Sequence, residues 1–343
     1  MARTATRYNR LMQSGINSIL EKYIRQFAAL RRAQGRMWGP DTRKKAPHKP
    51  LLLLAIIDLV ERGSLLSPVV VLENHLVELN ELFTNYWRQV VPLSQQTSIA
   101  FPFSRLFTEP FWKLIPLPGK EINRANVDQI TAVSQLRKLA SSSRMDEDLF
   151  ALMTDLKARN ILRSILIDSH FSLAAGKALW TQVMVHTQSW EYAEQLEMAA
   201  KEPLVDKVIK EREVTEPVRD QGFRKAVVGT YDHRCALCGM RVITSEGHTC
   251  VDAAHIIPWS ESHNDDIRNG MALCKLCHWA FDHRMAAVKR DYTVLISRQV
   301  QQTPNVADSL LRLQGKPLHK PANQPFWPAL VFLDKHRLTR FAG

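Results

Sequence analysis

Two cysteine pairs constrain the C-terminal third of this chain more than any other feature. Four of the five cysteines form two C-x-x-C pairs that are 35 residues apart: Cys235, Cys238, Cys274 and Cys277. Each C-x-x-C turn directs two sulfurs towards one centre, and two turns supply the four thiolates that tetrahedral Zn²⁺ prefers. In a reducing compartment this pattern favours metal thiolates over disulfides. The spacing therefore predicts a structural zinc site, with Cys250 left as a small core residue.

The residues inside and just after this loop include groups suited to hydrolysis of a phosphodiester. That reaction needs a base that deprotonates water and a cation that neutralises charge on the phosphate. His255 ends an apolar stretch that is stopped by Pro258, so it is expected on a short strand as the general base. His278 and Asp282 are four residues apart, hence on one face of a helix, and can hold one Mg²⁺ or Mn²⁺ ion.

The order of these residues resembles the HNH endonuclease family, in its zinc-containing branch associated with restriction. The resemblance covers roughly residues 216–300 and rests on Asp252-Ala-Ala-His255, Arg268-Asn269-Gly270 and Cys277-His278 followed by Asp282. It implies a ββα-metal domain that cuts DNA to 3′-hydroxyl and 5′-phosphate ends, with His255, Asn269 and His278 in the catalytic set. Asn269 would link the two elements or orient the base.

One position departs from that family. Many HNH motifs place Asp immediately before the base histidine as a metal ligand, whereas this chain has Ala254 there. Asp252 is a further candidate metal ligand, although a regular strand would direct it to the opposite side from His255. An HNH fold without catalytic activity is therefore one alternative.

The N-terminal part has the composition of a surface that binds a polyanion. The chain carries a formal net charge of +12, and its first 50 residues contain twelve basic and two acidic residues. Such an excess favours nucleic acid, because cations release the counterions condensed on phosphates. Pro50 and the apolar run 51–60 predict a buried helix with His48 and Lys49 at its N-terminus, where backbone N–H groups favour anions. An ordinary core helix is the alternative interpretation.

A second N-terminal segment, Phe101-Pro-Phe-Ser-Arg105, sets rigid apolar rings beside a cation. Together with residues 46–54 it resembles the sulfur-binding domain of restriction enzymes that recognise phosphorothioate DNA, over about residues 43–117. In that family a tyrosine is common at the position of Phe101, and the ring and the proline after it wall an apolar pocket for sulfur. An apolar pocket selects sulfur because an anionic oxygen loses more hydration on entering it. The resemblance implies a DNA-binding set of His48, Lys49, Phe101, Pro102, Phe103 and Arg105.

The sequence as a whole predicts an α+β protein of three segments. Residues 1–120 are expected to form a mixed helical DNA-recognition domain with a small sheet. Residues 121–215 are expected to form a helical connector broken at Ser141–Ser143, and residues 216–343 the HNH nuclease domain with its tail. Its 45% hydrophobic and 23% charged residues are ordinary for a globular protein. With no membrane span and no apolar secretory segment, we expect a cytoplasmic protein.

These patterns predict a modification-dependent, type IV-like restriction endonuclease acting on double-stranded phosphorothioate DNA, with structural Zn²⁺ and catalytic Mg²⁺ or Mn²⁺. Because one HNH site cuts one strand, a double-strand break would require two protomers, and we expect a homodimer. A reader of 5-methyl- or hydroxymethylcytosine fused to the same nuclease is one alternative. A non-catalytic zinc-containing DNA-binding protein is the other.

Overall fold

The structure is a computed structural model that describes residues 18–204, 214–302 and 308–343. The chain divides into two compact units. Unit 1 consists of Met1–Met184 with Ser245–His248, and unit 2 consists of Val185–Thr244 with Thr249–Gly343. In the described ranges, no helix has both the length and the hydrophobicity needed to cross a bilayer.

Unit 1 is built around one helix that is buried on every side. This helix, α2 (His48–Glu61), contains the apolar run 51–60, all of it buried. A helix covered on all faces needs no polar stripe, which explains why Asp58 is the only polar residue of this run. The predicted buried helix is therefore confirmed, and it starts two residues before Pro50. Four helices pack around it: α3 (Leu72–Val90), α4 (Ala100–Arg105), α7 (Glu147–Thr154) and α8 (Leu156–His170).

The remaining helices of unit 1 are short or lie at its ends. They are α1 (18–28), α5 (Arg124–Asp128), α6 (Val133–Leu136) and the first part of α9 (Leu173–Lys201). Two 3-10 turns, Pro40–Thr42 and Leu106–Thr108, precede α2 and follow α4.

An antiparallel sheet of three strands completes unit 1. Its order is β1-β3-β2, formed by β1 (Val69–Val71), β2 (Trp112–Pro116) and β3 (Ala140–Met145). The serines at 141–143 were expected to be a break in a helical connector, and they instead lie in the central strand. Pairing on both edges satisfies the backbone of β3, so tertiary pairing overrides the weak strand propensity of three serines. Ser143, which is fully buried, lies opposite Val70 and Leu114.

A buried ionic network ties α2, α3 and α8 together. The Arg163 guanidinium donates to Asp58 at 2.7 Å and to Glu61 at 2.5 Å, and the Tyr86 hydroxyl donates to Asp58 at 2.6 Å. Arg163 and Asp58 are each 2% exposed. Burial opposes the charge of Arg163, but the two carboxylates outweigh it and raise the pKa of the guanidinium. The pair is therefore charged inside the core, where each ion depends on its partner.

Unit 2 contains a two-stranded antiparallel sheet followed at once by a helix. β4 (Val251–His255) pairs with β5 (Gly270–Cys274), so that Val251 lies opposite Cys274 and His255 opposite Gly270. Helix α12 (Lys275–Asp282) begins directly after β5, and α10 (Glu216–Thr230) packs on the same two strands. The predicted strand at His255 is confirmed.

The rest of unit 2 consists of short elements around this motif. They are α11 (Trp259–Ser262), the 3-10 turn Ile267–Asn269, β6 (Ala286–Val288) paired with β7 (Val294–Ile296), α13 (Arg298–Gln302), α14 (Asp308–Leu311), the 3-10 turn Gln324–Phe326 and α15 (Leu330–Thr339).

The compact units differ from the three segments expected from the sequence. Buried residues between Val127 and Val183 belong to the same hydrophobic core as α2, and the division falls after Met184 rather than near residue 120. The apolar faces of α7 and α8 explain this, because they pack on α2. Residues 1–17, which carry part of the N-terminal basic segment, lie outside the described residues.

Candidate active site and zinc centre

The four predicted cysteines come together in unit 2. Their sulfur atoms all lie within 4.8 Å of one another, and the Sγ atoms of Cys238 and Cys274 are 3.8 Å apart. In a tetrahedral site with Zn–S bonds of about 2.3 Å, neighbouring sulfurs also lie about 3.8 Å apart. Cys235, Cys274 and Cys277 are buried, which suits a structural ion closed to solvent. The donor set and its spacing therefore fit Zn²⁺.

The polypeptide around the thiols is shaped for this cluster. Hydrogen bonds among the four thiols lower the pKa of Cys274 far below its ordinary value and raise the pKa of Cys235 and of Cys277 above it. The Cys235 thiol also lowers the pKa of Cys238, to about 7. Gly239 follows the first pair with a φ of +72°, and a Cβ there would lie 2.5 Å from His319 Nε2. The turn therefore requires glycine. Cys250 is not part of the cluster.

His255, the predicted base, is held on two sides. Its ring stacks on Phe223 of α10, with centroids 3.9 Å apart and planes within 6°. Its Nε2 atom lies 2.7 Å from Asp265 Oδ1. Because a carboxylate only accepts hydrogen bonds, Nε2 carries a proton in this contact, and in the neutral ring Nδ1 is then the nitrogen with the lone pair. The side chain is 22% exposed, so water can reach it.

Asn269 is fully buried and joins two segments. Its Oδ1 accepts from the Ile257 N–H at 2.9 Å, and its Nδ2 donates to the Ile257 carbonyl at 3.0 Å and the Asn264 carbonyl at 2.9 Å. The Asn269 carbonyl also accepts from the Ile256 N–H at 2.8 Å. These bonds fix the chain on both sides of the loop after His255. They bring the amide to the backbone rather than to the imidazole.

His278 and Asp282 lie on one side of α12, with Nε2 and Oδ2 3.4 Å apart. Neighbouring ligands of an octahedral ion with bonds of about 2.1 Å lie about 3.0 Å apart, so the two atoms can share Mg²⁺ or Mn²⁺ with little movement. Among the residues described, the cysteine cluster is the only group of three or more potential ligands that converge. An ion at His278 and Asp282 would thus be completed by water and phosphate oxygens.

Asp252, the further candidate metal ligand, is engaged elsewhere. Its carboxylate accepts from Arg224 Nε at 2.9 Å and lies 3.8 Å from Lys275 Nζ. Strand alternation sets it on the opposite side of β4 from His255. This candidate is corrected, because Asp252 pairs with two cations, and a metal ion there would have to displace Arg224.

Sequence reasoning missed the group that holds His255. Asp265 is 3% exposed at its side chain, and its second oxygen accepts from the Tyr192 hydroxyl of α9 at 2.8 Å. The adjacent Asp266 instead pairs with Arg268 at 2.6 Å and caps the 3-10 turn. Nothing in the sequence separates these two aspartates. Phe223, the other residue that supports the His255 ring, was also not predicted as a site residue.

Unit 1 contains a pocket of about 560 Å³ at the segments expected to bind DNA. Five members of the predicted DNA-binding set line it: His48, Lys49, Phe101, Pro102 and Arg105. Trp38 and Met37 add apolar surface, and Arg31, Arg32 and Arg124 add positive charge. The structure thus brings most of the set to one concave surface that combines aromatic and cationic side chains.

Neither of the two residues at the start of α2 presents the uncompensated positive charge that binding of a DNA phosphate would need. His48 packs against Trp87 with ring centroids 4.7 Å apart, and its Nε2 lies 2.9 Å from Thr97 Oγ1. Burial, aided by the charge of Arg105, lowers the pKa of His48 to about 4, so the ring is neutral at pH 7. The Lys49 ammonium is buried and pairs with Glu109. We therefore correct both roles: His48 supplies an aromatic wall, and the charge of Lys49 is already compensated.

Phe103 is also corrected. It is fully buried, and its ring meets Trp112 edge-on with centroids 5.4 Å apart, so it has no surface to offer DNA. Phe101, two residues earlier, does line the pocket, and the Arg105 guanidinium lies over its ring at 4.8 Å from the centroid. The helical turn of α4 explains the difference, because it directs Phe101 outwards and Phe103 into the core.

The HNH segment also matches a known family. Residues 235–289 match the family model described as HNH endonuclease. A solved structure of the "Modification dependent TagI restriction endonuclease" is similar to part of this chain. It has 23% identity and a TM-score of 0.28, over 36% of this chain and 39% of that chain. The match thus spans about two fifths of the TagI chain. No curated protein matches significantly. The cysteine cluster, the β4–β5 hairpin and α12 belong to an HNH endonuclease domain.

Proposed function

We propose that this chain is a modification-dependent DNA endonuclease, in which the HNH domain hydrolyses the phosphodiester and unit 1 binds duplex carrying a phosphorothioate. One observation carries the nuclease part. His255 lies in the matched HNH segment, and the carboxylate at Nε2 makes Nδ1 the proton acceptor of the neutral ring. That tautomer is the one a general base at this position needs.

In the proposed reaction, His255 Nδ1 takes a proton from water as the water oxygen attacks phosphorus. The bond from phosphorus to the 3′-oxygen breaks, and that oxygen takes a proton from solvent. His278 and Asp282 would hold the divalent cation, which when bound neutralises charge developing on the phosphate. Zn²⁺ on the four cysteines would keep the start of α12 attached to the turn before β4 and leave the substrate untouched.

The pocket in unit 1 supports recognition of a modified phosphate. Arginines around it favour the DNA backbone, while the neutral His48 ring and Phe101 provide an apolar wall. An anionic oxygen loses hydration at such a wall, whereas a larger and softer sulfur loses less. Discrimination of this kind is worth about 1 to 3 kcal/mol, or roughly 5- to 150-fold.

The size of the pocket favours a second candidate. A volume of about 560 Å³ exceeds what one sulfur atom fills and is in the range of pockets that hold whole small ligands. A flipped cytosine could stack on aromatic side chains such as Trp38 and Phe101. Recognition of 5-methyl- or hydroxymethylcytosine is therefore the alternative that the experiment must separate.

The test uses one duplex sequence in four forms: unmodified, phosphorothioate, 5-methylcytosine and 5-hydroxymethylcytosine. Binding is measured at one stated salt concentration, and cleavage is measured in Mn²⁺ and Mg²⁺. We expect the phosphorothioate duplex to bind more tightly and to be cut, and His255→Ala to bind it without cutting. Equal affinity for all four duplexes would refute selective recognition. Cleavage by His255→Ala at the wild-type rate would refute the assigned base.

Two matched variants test the pocket. Phe101→Ala removes an aromatic wall and should lower the preference for modified DNA about tenfold. Phe150→Ala also removes a partly buried ring from unit 1, but outside the pocket, and should keep the preference. An equal loss from both would mean that the pocket does not read the modification.

We also propose a homodimer, which predicts that both strands are cut in one binding event and that the protein sediments as two protomers.

A further inference from the structure

The orientation of His255 depends on a buried chain of side chains that lies largely outside the HNH motif. The His255 ring is clamped by Phe223 on its face and by Asp265 at Nε2. Asp265 is in turn fixed by Tyr192, whose hydroxyl donates to the other carboxylate oxygen at 2.8 Å. These contacts bring together α9, α10 and the loop after α11.

The burial of the Asp265 carboxylate costs free energy unless the carboxylate has hydrogen-bond or ionic partners. Its side chain is 3% exposed, and a carboxylate removed from water needs hydrogen bonds or a counter-charge. Tyr192 and His255 both donate to it. Asp266, by contrast, is used in a local contact with Arg268. Asp265 is therefore the carboxylate directed at the base.

We propose that Asp265 is the positioning residue of the HNH centre and that Tyr192 holds it in place. Asp265 fixes the imidazole with its proton on Nε2, so that Nδ1 is the atom that accepts the proton of the attacking water. It also stabilises the imidazolium that this transfer creates. An amide at this position can accept the same bond from Nε2 but can also present its NH₂ group, which favours the wrong tautomer. This inference rests on the proposed nuclease function.

The first test is a double-mutant cycle under single-turnover conditions in Mn²⁺. Asp265→Asn should slow cleavage by about 10² to 10⁴-fold, the order seen when a triad aspartate is replaced, while DNA binding and zinc content stay unchanged. Tyr192→Phe should slow it by roughly 3- to 10-fold, because Asp265 stays but loses one donor. In the His255→Ala background, Asp265→Asn should cost nothing further, because its effect passes through the imidazole.

Asp266→Asn is the matched control, since it removes the adjacent carboxylate and acts only on local structure. Its effect should be the same with and without His255. The proposal is overturned if Asp265→Asn cleaves within twofold of wild type, or if it lowers the residual rate of His255→Ala as much as it lowers the wild-type rate.

A second readout needs no cleavage. In protein labelled with ¹⁵N-histidine, the His255 signal, assigned by its absence from His255→Ala, should show the Nε2–H tautomer. Asp265→Asn should shift it to a mixture, and Tyr192→Phe serves if Asp265→Asn does not fold. An unchanged tautomer in the folded variants would refute the positioning role. If wild type shows the Nε2–H tautomer but cuts no duplex, the proposed function fails while the side-chain arrangement stands.

Discussion

Removing one zinc ligand should unfold the HNH domain and leave unit 1 folded. The change is Cys277→Ser, at a cysteine that is 1% exposed. Cys250→Ser is the matched control, because Cys250 lies outside the sulfur cluster. Both variants replace one sulfur by oxygen, and only the first removes a ligand from the group whose sulfurs lie within 4.8 Å of one another.

The expected magnitude follows from what the cluster connects. One pair lies before β4 and the other at the junction of β5 and α12, so an ion on all four joins the three elements that carry His255 and His278. A structural zinc contributes on the order of 10 kcal/mol to folding at neutral pH, which is comparable to the whole stability of a typical domain, about 5 to 15 kcal/mol. Loss of the ion should therefore unfold this part rather than loosen it.

The assay combines zinc content with hydrogen exchange resolved by peptide. Wild type and Cys250→Ser should each retain one zinc per chain and protect the amides of β4, β5 and α12. Cys277→Ser, or wild type stripped with a chelator, should lose that protection while α2 keeps its own. Slow exchange in β4 and β5 of a zinc-free protein would refute the structural role of the metal.

Three further predictions concern packing, burial and pH. Gly270→Ala should destabilise unit 2 by about 1 to 3 kcal/mol in urea unfolding and slow cleavage, because its Cβ would lie 2.6 Å from Val227 and 3.0 Å from Phe223, the ring under His255. Gly229→Ala meets nothing within 4 Å and should be neutral or stabilising. Arg163→Met should lower the stability of unit 1 by about 3 to 5 kcal/mol, since Asp58 is left without its counter-ion, and a loss below 1 kcal/mol would contradict this. Acid should weaken both units, because burial lowers the pKa of three histidines to about 4: His48, His170 and His336. As the pH falls, the unfolded chain binds these protons before the folded chain does. The free energy of unfolding is therefore highest above about pH 6.5 and falls by roughly 2 kcal/mol per histidine by pH 5. Urea unfolding midpoints at the two pH values measure this loss.

Local patterns in the sequence were sufficient for the elements whose burial is set by their own composition. The apolar run 51–60 predicted the buried helix, and the stop at Pro258 predicted the end of the strand at His255. The serines at 141–143 could not be read in the same way. Their place in the central strand depends on pairing with Val69–Val71 and with Trp112–Pro116, which are distant in sequence.

The same distinction between local patterns and distant contacts applies to the candidate site. The cysteine cluster was predicted from spacing, because a C-x-x-C turn fixes its two sulfurs locally. The charge states of the DNA-binding set could not be predicted from spacing. Lys49 pairs with Glu109, sixty residues later, and three aromatic rings bury His48. A cation in the sequence becomes a DNA contact only if the fold leaves it unpaired at the surface.

The proposed base, His255, is therefore held by residues outside the segment that matches the HNH family model as well as by residues within it. The matched HNH segment, 235–289, contains His255, Asn269 and Asp265, yet the ring of His255 rests on Phe223 and its carboxylate partner is held by Tyr192, both upstream of that segment. An imidazole on a short strand has freedom to rotate unless its face and one nitrogen are both engaged. Here the face is engaged by α10 and the nitrogen by a carboxylate that α9 secures. If the proposed positioning role holds, cleavage depends on unit 2 from Val185 onwards, because helices before the matched segment would then determine which nitrogen of His255 meets the water.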